Sequence, residues 1–162
     1  MRYAAETTVP PERSRAEIET IVSRYGADQF MSGWEDNRAL VGFRANGRFV
    51  RFVLTLPDRT SREFTHVKTR GTTKPRSAEL AMKAWEQAVR QRWRALLLCI
   101  KAKLEAVSAR IETFDEAFMP HIVLPGGRTM AETILPQLED VYRTGELPRL
   151  LPMLPERDVE VG

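Results

Sequence analysis

Apolar residues recur along this chain with two different periods, and each change of period marks a change of element. Behind Pro10 and Pro11, Ile18, Ile21, Val22 and Tyr25 stand at helical spacing, Ser14-Arg15-Ala16-Glu17 has the form of a capping box, and Gly26 supplies a stop. A first helix over about residues 11 to 25 follows. From Gln29 to Leu56 the period shortens to two, with breaks at Glu35-Asp36-Asn37 and Asn46-Gly47. Asn-Gly between alternating runs predicts a two-residue type I′ hairpin, because both central residues need positive φ. That turn sets the register: Ala45 opposes Arg48, Arg44 opposes Phe49, Phe43 opposes Val50, Val41 opposes Phe52 and Ala39 opposes Leu54. One face is then Ala39, Val41, Phe43, Val50, Phe52 and Leu54, wholly apolar and expected to be core. The other presents Arg38, Leu40, Arg44, Phe49, Arg51 and Val53. A preceding strand, about residues 29 to 34, adds either Met31 and Gly33 or Phe30, Ser32 and Trp34 to that second face.

Residues 57 to 75 are rich in Thr, Arg and Lys, punctuated by Gly71 and Pro75, and read as a mobile polar loop. Then Ala81, Trp85, Val89, Trp93, Leu96, Ile100, Leu104, Val107 and Ile111 recur at intervals of 3 or 4, with no Gly or Pro between Ser77 and Arg110. One helix of about 34 residues, roughly 50 Å long, is predicted. It overhangs a small sheet, so its excess length should pack on the C-terminal region or on another subunit. Thr113-Phe114-Asp115-Glu116 opens a short helix ending before Pro120, and Ile122-Val123-Leu124 is a short apolar run closed by Pro125-Gly126-Gly127. Thr129-Met130-Ala131-Glu132 opens a last helix to about Arg143, kinked at Pro136. Pro148, Pro152 and Pro155 then alternate with leucines in a tail expected to dock, extended, on apolar surface. The fold class is α+β: N-terminal helix, three-stranded antiparallel meander, one long helix and a helical C-terminal extension.

Composition leaves that picture intact, with 162 residues, 43% apolar and 29% charged, as in an ordinary globular chain. No apolar h-region opens the chain and no apolar run approaches the roughly 20 residues a bilayer requires, so secretion and membrane spanning are not expected. A cytoplasmic protein is. The one cysteine, Cys99, cannot form an internal disulfide and, inside the apolar run from Ala95 to Ile100, reads as a small buried hydrophobe.

Charge changes the picture more. Residues 1–111 hold 21 Lys and Arg against 12 Asp and Glu, and residues 112–162 hold 4 against 10, so a net charge of +3 hides +9 followed by −6. A basic domain over 1–111 and an acidic helical extension over 112–162 packed on it are expected. Between Arg59 and Lys103, 12 basic residues meet only Glu63, Glu79 and Glu86. Such a surface suits a polyanion. Lys83, Arg90, Arg94 and Lys101 fall on one stripe of the long helix, and Arg59, Arg62, Lys68, Arg70, Lys74 and Arg76 lie in the connector, where they can follow a phosphate backbone. On the outer sheet face, Phe49 among Arg38, Arg44 and Arg51 offers base stacking beside phosphate neutralisation, the grip used on single strands. The competing reading covers that face with a helix and makes Phe49 and Val53 a second core.

Catalytic signals are missing. His66 and His121 are the only histidines and have no metal-ligand spacing, no nucleophile or phosphate-loop motif occurs, and Glu35-Asp36, Asp115-Glu116 and Glu139-Asp140 do not cluster with His or Lys. No catalytic residue, metal or cofactor is expected. Pro125-Gly126-Gly127-Arg128 reads as a tight turn into a capped helix, and Trp85 and Trp93 as packing residues.

The stretches Arg24-Tyr25-Gly26-Ala27 through Phe30-Met31-Ser32-Gly33-Trp34, Arg48-Phe49-Val50-Arg51-Phe52-Val53-Leu54, Arg92-Trp93-Arg94-Ala95-Leu96 through Val107, and Ile122-Val123-Leu124-Pro125-Gly126-Gly127-Arg128-Thr129 resemble a group of small bacteriophage- and prophage-encoded proteins with no assigned activity. The resemblance implies a setting in phage DNA metabolism or control of the host. In topology alone, three antiparallel strands and a long helix also resemble phage single-strand annealing (Rad52-like) proteins. Together these readings point to a non-enzymatic nucleic-acid-binding protein favouring single-stranded DNA. The alternative is an interaction module that modulates a host protein, and the charge split is compatible with self-association into a homo-oligomer.

Overall fold

The computed structural model describes residues 4–146, so the proline-leucine tail lies outside the described residues. The chain forms α1 (Pro11–Arg24), β1 (Gln29–Glu35), β2 (Arg38–Ala45), β3 (Arg48–Thr55), α2 (Arg62–Thr65), β4 (His66–Thr69), β5 (Thr72–Pro75), α3 (Ala78–Ser108), α4 (Phe114–Phe118) with a 3₁₀ turn (Met119–His121), and α5 (Met130–Thr144). The α+β architecture expected from the periodicity is present. β1, β2 and β3 make an antiparallel meander in which Ala45 pairs with Arg48, Phe43 with Val50 and Val41 with Phe52, the register that the Asn46-Gly47 turn dictates. Asn46 and Gly47 sit at φ 51° and 69°, as a type I′ turn requires. The face left open for the first strand is settled by pairing: Met31 opposes Gly42 and Gly33 opposes Leu40, which puts both on the outer face, while Phe30, Ser32 and Trp34 fall on the side of the apolar face, Phe30 half-buried and Ser32 and Trp34 at its exposed rim.

The inner face is buried by α3 and α1. Val41, Phe43, Val50, Ile18, Val22, Leu97, Ile100 and Leu104 are almost wholly inaccessible, with Trp93 and Leu96 nearly so. Phe118 of α4 closes the far end of this core, meeting Phe43 edge-on at 5.7 Å, Phe52 edge-on at 6.5 Å and Phe114 in a stack at 4.7 Å. Phe114, Ala117, Phe118 and Ile122 therefore share one hydrophobic core with the sheet. The basic and acidic halves of the sequence meet inside it. The excess length of α3 is used here, for α4 packs on it and Lys103 Nζ donates to the Ala117 carbonyl at 2.7 Å.

Four expectations are corrected. Ser14 is not a cap: α1 begins at Pro11 behind Pro10, and Ser14 is buried within the helix, its Oγ without a partner. Proline at N1 supplies the start through its fixed φ. α3 covers 31 residues rather than about 34, from the Ser77 cap to Ser108. α4 ends before Pro120, as expected, and Pro120 follows as the middle residue of the 3₁₀ turn. Cys99 is exposed, because the run from Ala95 to Ile100 wraps the helix and only Leu96, Leu97 and Ile100 turn fully inward. Finally, residues 57 to 75 are not one loop but hold α2 and the β4–β5 hairpin. The other two capping boxes form as read, at Thr113 with Glu116 and at Thr129 with Glu132, and Pro136 lies inside α5. Among the described residues no helix is long and apolar enough to cross a membrane.

Because Phe118 fills the junction of sheet, α3 and α4, Phe118→Ala should lower unfolding stability by about 3 to 5 kcal/mol, read as a fall in the urea midpoint at constant slope. An effect below about 1 kcal/mol would mean that the C-terminal segment is not part of the cooperative core.

Candidate nucleic-acid interface

Two surfaces carry the cations singled out by sequence. On the outer sheet face, cross-strand rows bring together Arg44 and Phe49, Gly42 and Arg51, Leu40 and Val53, and Arg38 and Thr55, with Met31 and Gly33 alongside from β1. Met31 and Val53 remain 56% and 45% exposed, while Leu40, Phe49 and Arg51 are half-buried and the start of α5 reaches this face through Glu132. Its middle is apolar. Gly42 forms a hollow there: a Cβ would meet Met31 Cγ and Phe49 Cζ at 3.1 Å each, so both side chains lean across the glycine. Phe49 is half-buried as a result.

The arginines of this face are engaged. Arg44 makes a two-pronged contact with Asp28 at 2.8 and 2.7 Å, and Arg44's hydrogen bond holds the Asp28 carboxyl below its ordinary pKa. Arg51 donates to Glu132 at 2.9 and 3.2 Å, while its Nε is buried without a partner. Arg48, at the turn, pairs with Asp115. Only Arg38 on this face lacks an ion pair among the described residues. Glu132 is doubly committed, since the Thr129 backbone N–H lowers its pKa first and Arg51 adds to that. It also occupies the start of α5, so the Pro125-Gly126-Gly127 turn leads into a helix end already filled by its own capping carboxylate.

The α3 stripe divides similarly. Arg94 reaches Glu17 of α1 at 2.9 Å, Arg90 donates to Gln87 Oε1, and Lys83 pairs with Glu79 one turn before it. Lys101 is exposed and unpaired among the described residues. Of the tryptophans, Trp93 is core, whereas Trp85 is half-buried with its indole N–H donating to the Pro57 carbonyl and Arg59 stacked 3.9 Å over its ring.

The second surface is the β4–β5 ribbon. Val67 pairs with Lys74, Lys68 with Thr73 and Thr69 with Thr72, and Arg70 and Gly71 turn the chain at φ 40° and 85°. Arg76 anchors the base, its N–H bonding the Thr65 carbonyl at 2.7 Å and its guanidinium the carbonyls of Glu63 and Phe64. Sequence reasoning named these cations but missed the ribbon that orders them. The signal was there: β-branched residues flank Arg70-Gly71 on both sides, and glycine follows a residue able to adopt positive φ. Between the ribbon and α2 lies an open cleft of about 540 Å³ lined by Arg62, Glu63, His66, Val67, Lys68, Thr73 and Arg76. No carboxylate among the described residues pairs with Arg62, Lys68, Arg70 or Lys74.

The remaining candidates have local explanations. Asp115 and Glu116 start α4, where Glu116 bonds the Thr113 N–H at 2.7 Å, and Asp140 pairs with Arg143. Among the described residues no three His, Cys, Asp or Glu side chains gather to hold a metal ion. His121 stacks on Phe52 at 4.0 Å, and burial, then Lys103, lowers its pKa from 6.5. No protein-family model, curated protein or solved structure matches the chain.

The lowered His121 pKa has a definite sign. The folded state resists protonation, so the stability this residue contributes is fully present above about 6.5 and declines as pH falls through the depressed folded value. Between pH 7 and pH 5 the urea midpoint should fall more in the wild type than in His121→Gln. Parallel pH profiles would show that His121 is solvated as the free side chain is.

Proposed function

We propose that the protein binds nucleic acid without transforming it, gripping the phosphate backbone with the β4–β5 ribbon and its adjoining cleft. The observation that carries this reading is the set Arg62, Lys68, Arg70 and Lys74, exposed on one small ordered unit with no carboxylate partner among the described residues. Of these, Arg62 and Lys68 line the cleft while Arg70 and Lys74 stand at the turn and on the other ribbon face; an unpaired cation keeps its full attraction for phosphate, whereas a guanidinium already matched by a carboxylate must lose that partner first. Arg38 and Lys101 are available in the same sense. Arg44, Arg51 and Arg94 are spent on carboxylates of other segments, and Arg90 is taken up by Gln87 of its own helix. The apolar strip of Met31, Leu40, Phe49 and Val53 is the part of the surface that favours single-stranded DNA, since exposed bases need flat apolar contact while a duplex does not.

The test is fluorescence anisotropy with mixed-sequence single- and double-stranded DNA and RNA across salt concentration. Binding should weaken steeply with salt, and Lys68→Ala with Arg70→Ala and Lys74→Ala together should reduce the log-log slope by about 2 to 3. Single strands should bind more tightly than duplex. Tighter duplex binding would move the contact to a ribbon in a groove, and no binding at low salt would reject the proposal.

One observation favours a second reading, a module that docks on a host protein. Leu135, Leu138 and Tyr142 of α5 are 57%, 44% and 85% exposed and stand at i, i+3 and i+7, the spacing of anchors that a helix lays into a partner's groove. This reading gains if nucleic acid fails to bind.

A further inference from the structure

We infer that the free edge of β1 pairs, antiparallel, with β1 of a second copy of this chain, joining two meanders into one six-stranded sheet across a two-fold axis at Ser32. The argument starts from the direction of the backbone groups. On β3 the Phe49 carbonyl accepts from the Val123 N–H at 2.8 Å, on the side away from β2. Hydrogen-bonding sides alternate along an antiparallel ladder. Arg44, opposite Phe49, therefore turns its N–H and C=O toward β1, and so does every second residue of β2. On β1 this ties Gln29, Met31, Gly33 and Glu35 to β2. Phe30, Ser32 and Trp34 are left with both backbone groups aimed outward.

The two edges of the sheet are treated differently. Beside the first residues of β3 the chain supplies its own partner, an antiparallel bridge between Val50 and Ile122 with the Val123 bond to Phe49. Beside β1 no segment pairs among the described residues. The strand has none of the usual defences of an open edge, for it contains no lysine, proline or inward charge. It exposes Met31 at 56% and Trp34 at 80% instead.

The strand is complementary to itself. With Ser32 opposite Ser32, Phe30 of each copy opposes Trp34 of the other, two aromatic cross-strand pairs of the kind that stabilise antiparallel contacts. Met31 opposes Gly33, beside which a Cβ would meet nothing within 4 Å, so the thioether has room. Glu35 opposes Gln29, and no like charges face each other. The residues placed opposite are also those whose backbone groups already point outward, so the ladder continues without a shift of register. Because both copies contribute the same β1 edge about one two-fold axis, the association is isologous and closes at two copies.

Sedimentation velocity without nucleic acid tests this apart from the proposed function. Mass should rise from 18.5 kDa toward twice that value between low and high micromolar protein. Ser32→Pro removes an outward N–H and crowds only the free edge, and Trp34→Lys replaces an exposed pairing residue. Each should abolish the dimer over that range while the circular dichroism spectrum and dilute-solution melting temperature stay unchanged. If Ser32→Pro disturbs the fold, Trp34→Lys decides. A wild type that stays at 18.5 kDa throughout, or a dimer that survives Trp34→Lys, would overturn the inference.

Discussion

A three-stranded sheet has two faces and too few strands to bury either by itself, and everything else in this molecule answers that constraint. The apolar face is pressed against α3, whose buried positions Val89, Trp93, Leu96, Leu97, Ile100 and Leu104 run along one side of the helix for about four turns. α1 seals one flank through Ile18 and Val22. α4 seals the other by inserting Phe118 between Phe43 and Phe52. The opposite face stays in solvent because its residues are cationic or straddle Gly42, and the hollow at that glycine lets Phe49 and Met31 lie down on the sheet.

The same constraint organises the charge. A basic body and an acidic C-terminal region invite a picture of two blocks, yet the core passes through both, and their charges meet as pairs at the seams: Arg48 with Asp115 and Arg51 with Glu132, joined across 67 and 81 residues of sequence. Such exposed or half-exposed pairs contribute little stability each. Their larger effect is to occupy guanidinium groups that composition alone counts as available. Lys68, Arg70 and Lys74, three of the cations left without a carboxylate among the described residues, sit together on the ribbon, which is anchored at its base by Arg76 and makes no ladder with the main sheet.

Periodicity, turn chemistry and capping determined a great deal of this protein from sequence alone. Asn46-Gly47 and the alternation on both sides of it specify a register that a one-residue slip would ruin by turning Phe43 and Phe52 to solvent. The uninterrupted 3- and 4-residue spacing after Ser77 specifies α3, and Thr113 with Glu116 and Thr129 with Glu132 specify two helix starts. These features are local or strongly periodic. Ser14-Arg15-Ala16-Glu17 shows where that logic yields: the pattern of a cap is present, but proline at the start of a helix already suffices and the core claims Ser14. Tertiary structure alone decided which arginines are spent on carboxylates, because Asp28, Asp115, Glu17 and Glu132 are neighbours only after the chain folds. It alone decided that Cys99 faces outward, and that Ile122 and Val123 bridge the start of one sheet edge while no described segment pairs with the other. Those outcomes depend on distances between elements remote in sequence, which no local pattern encodes.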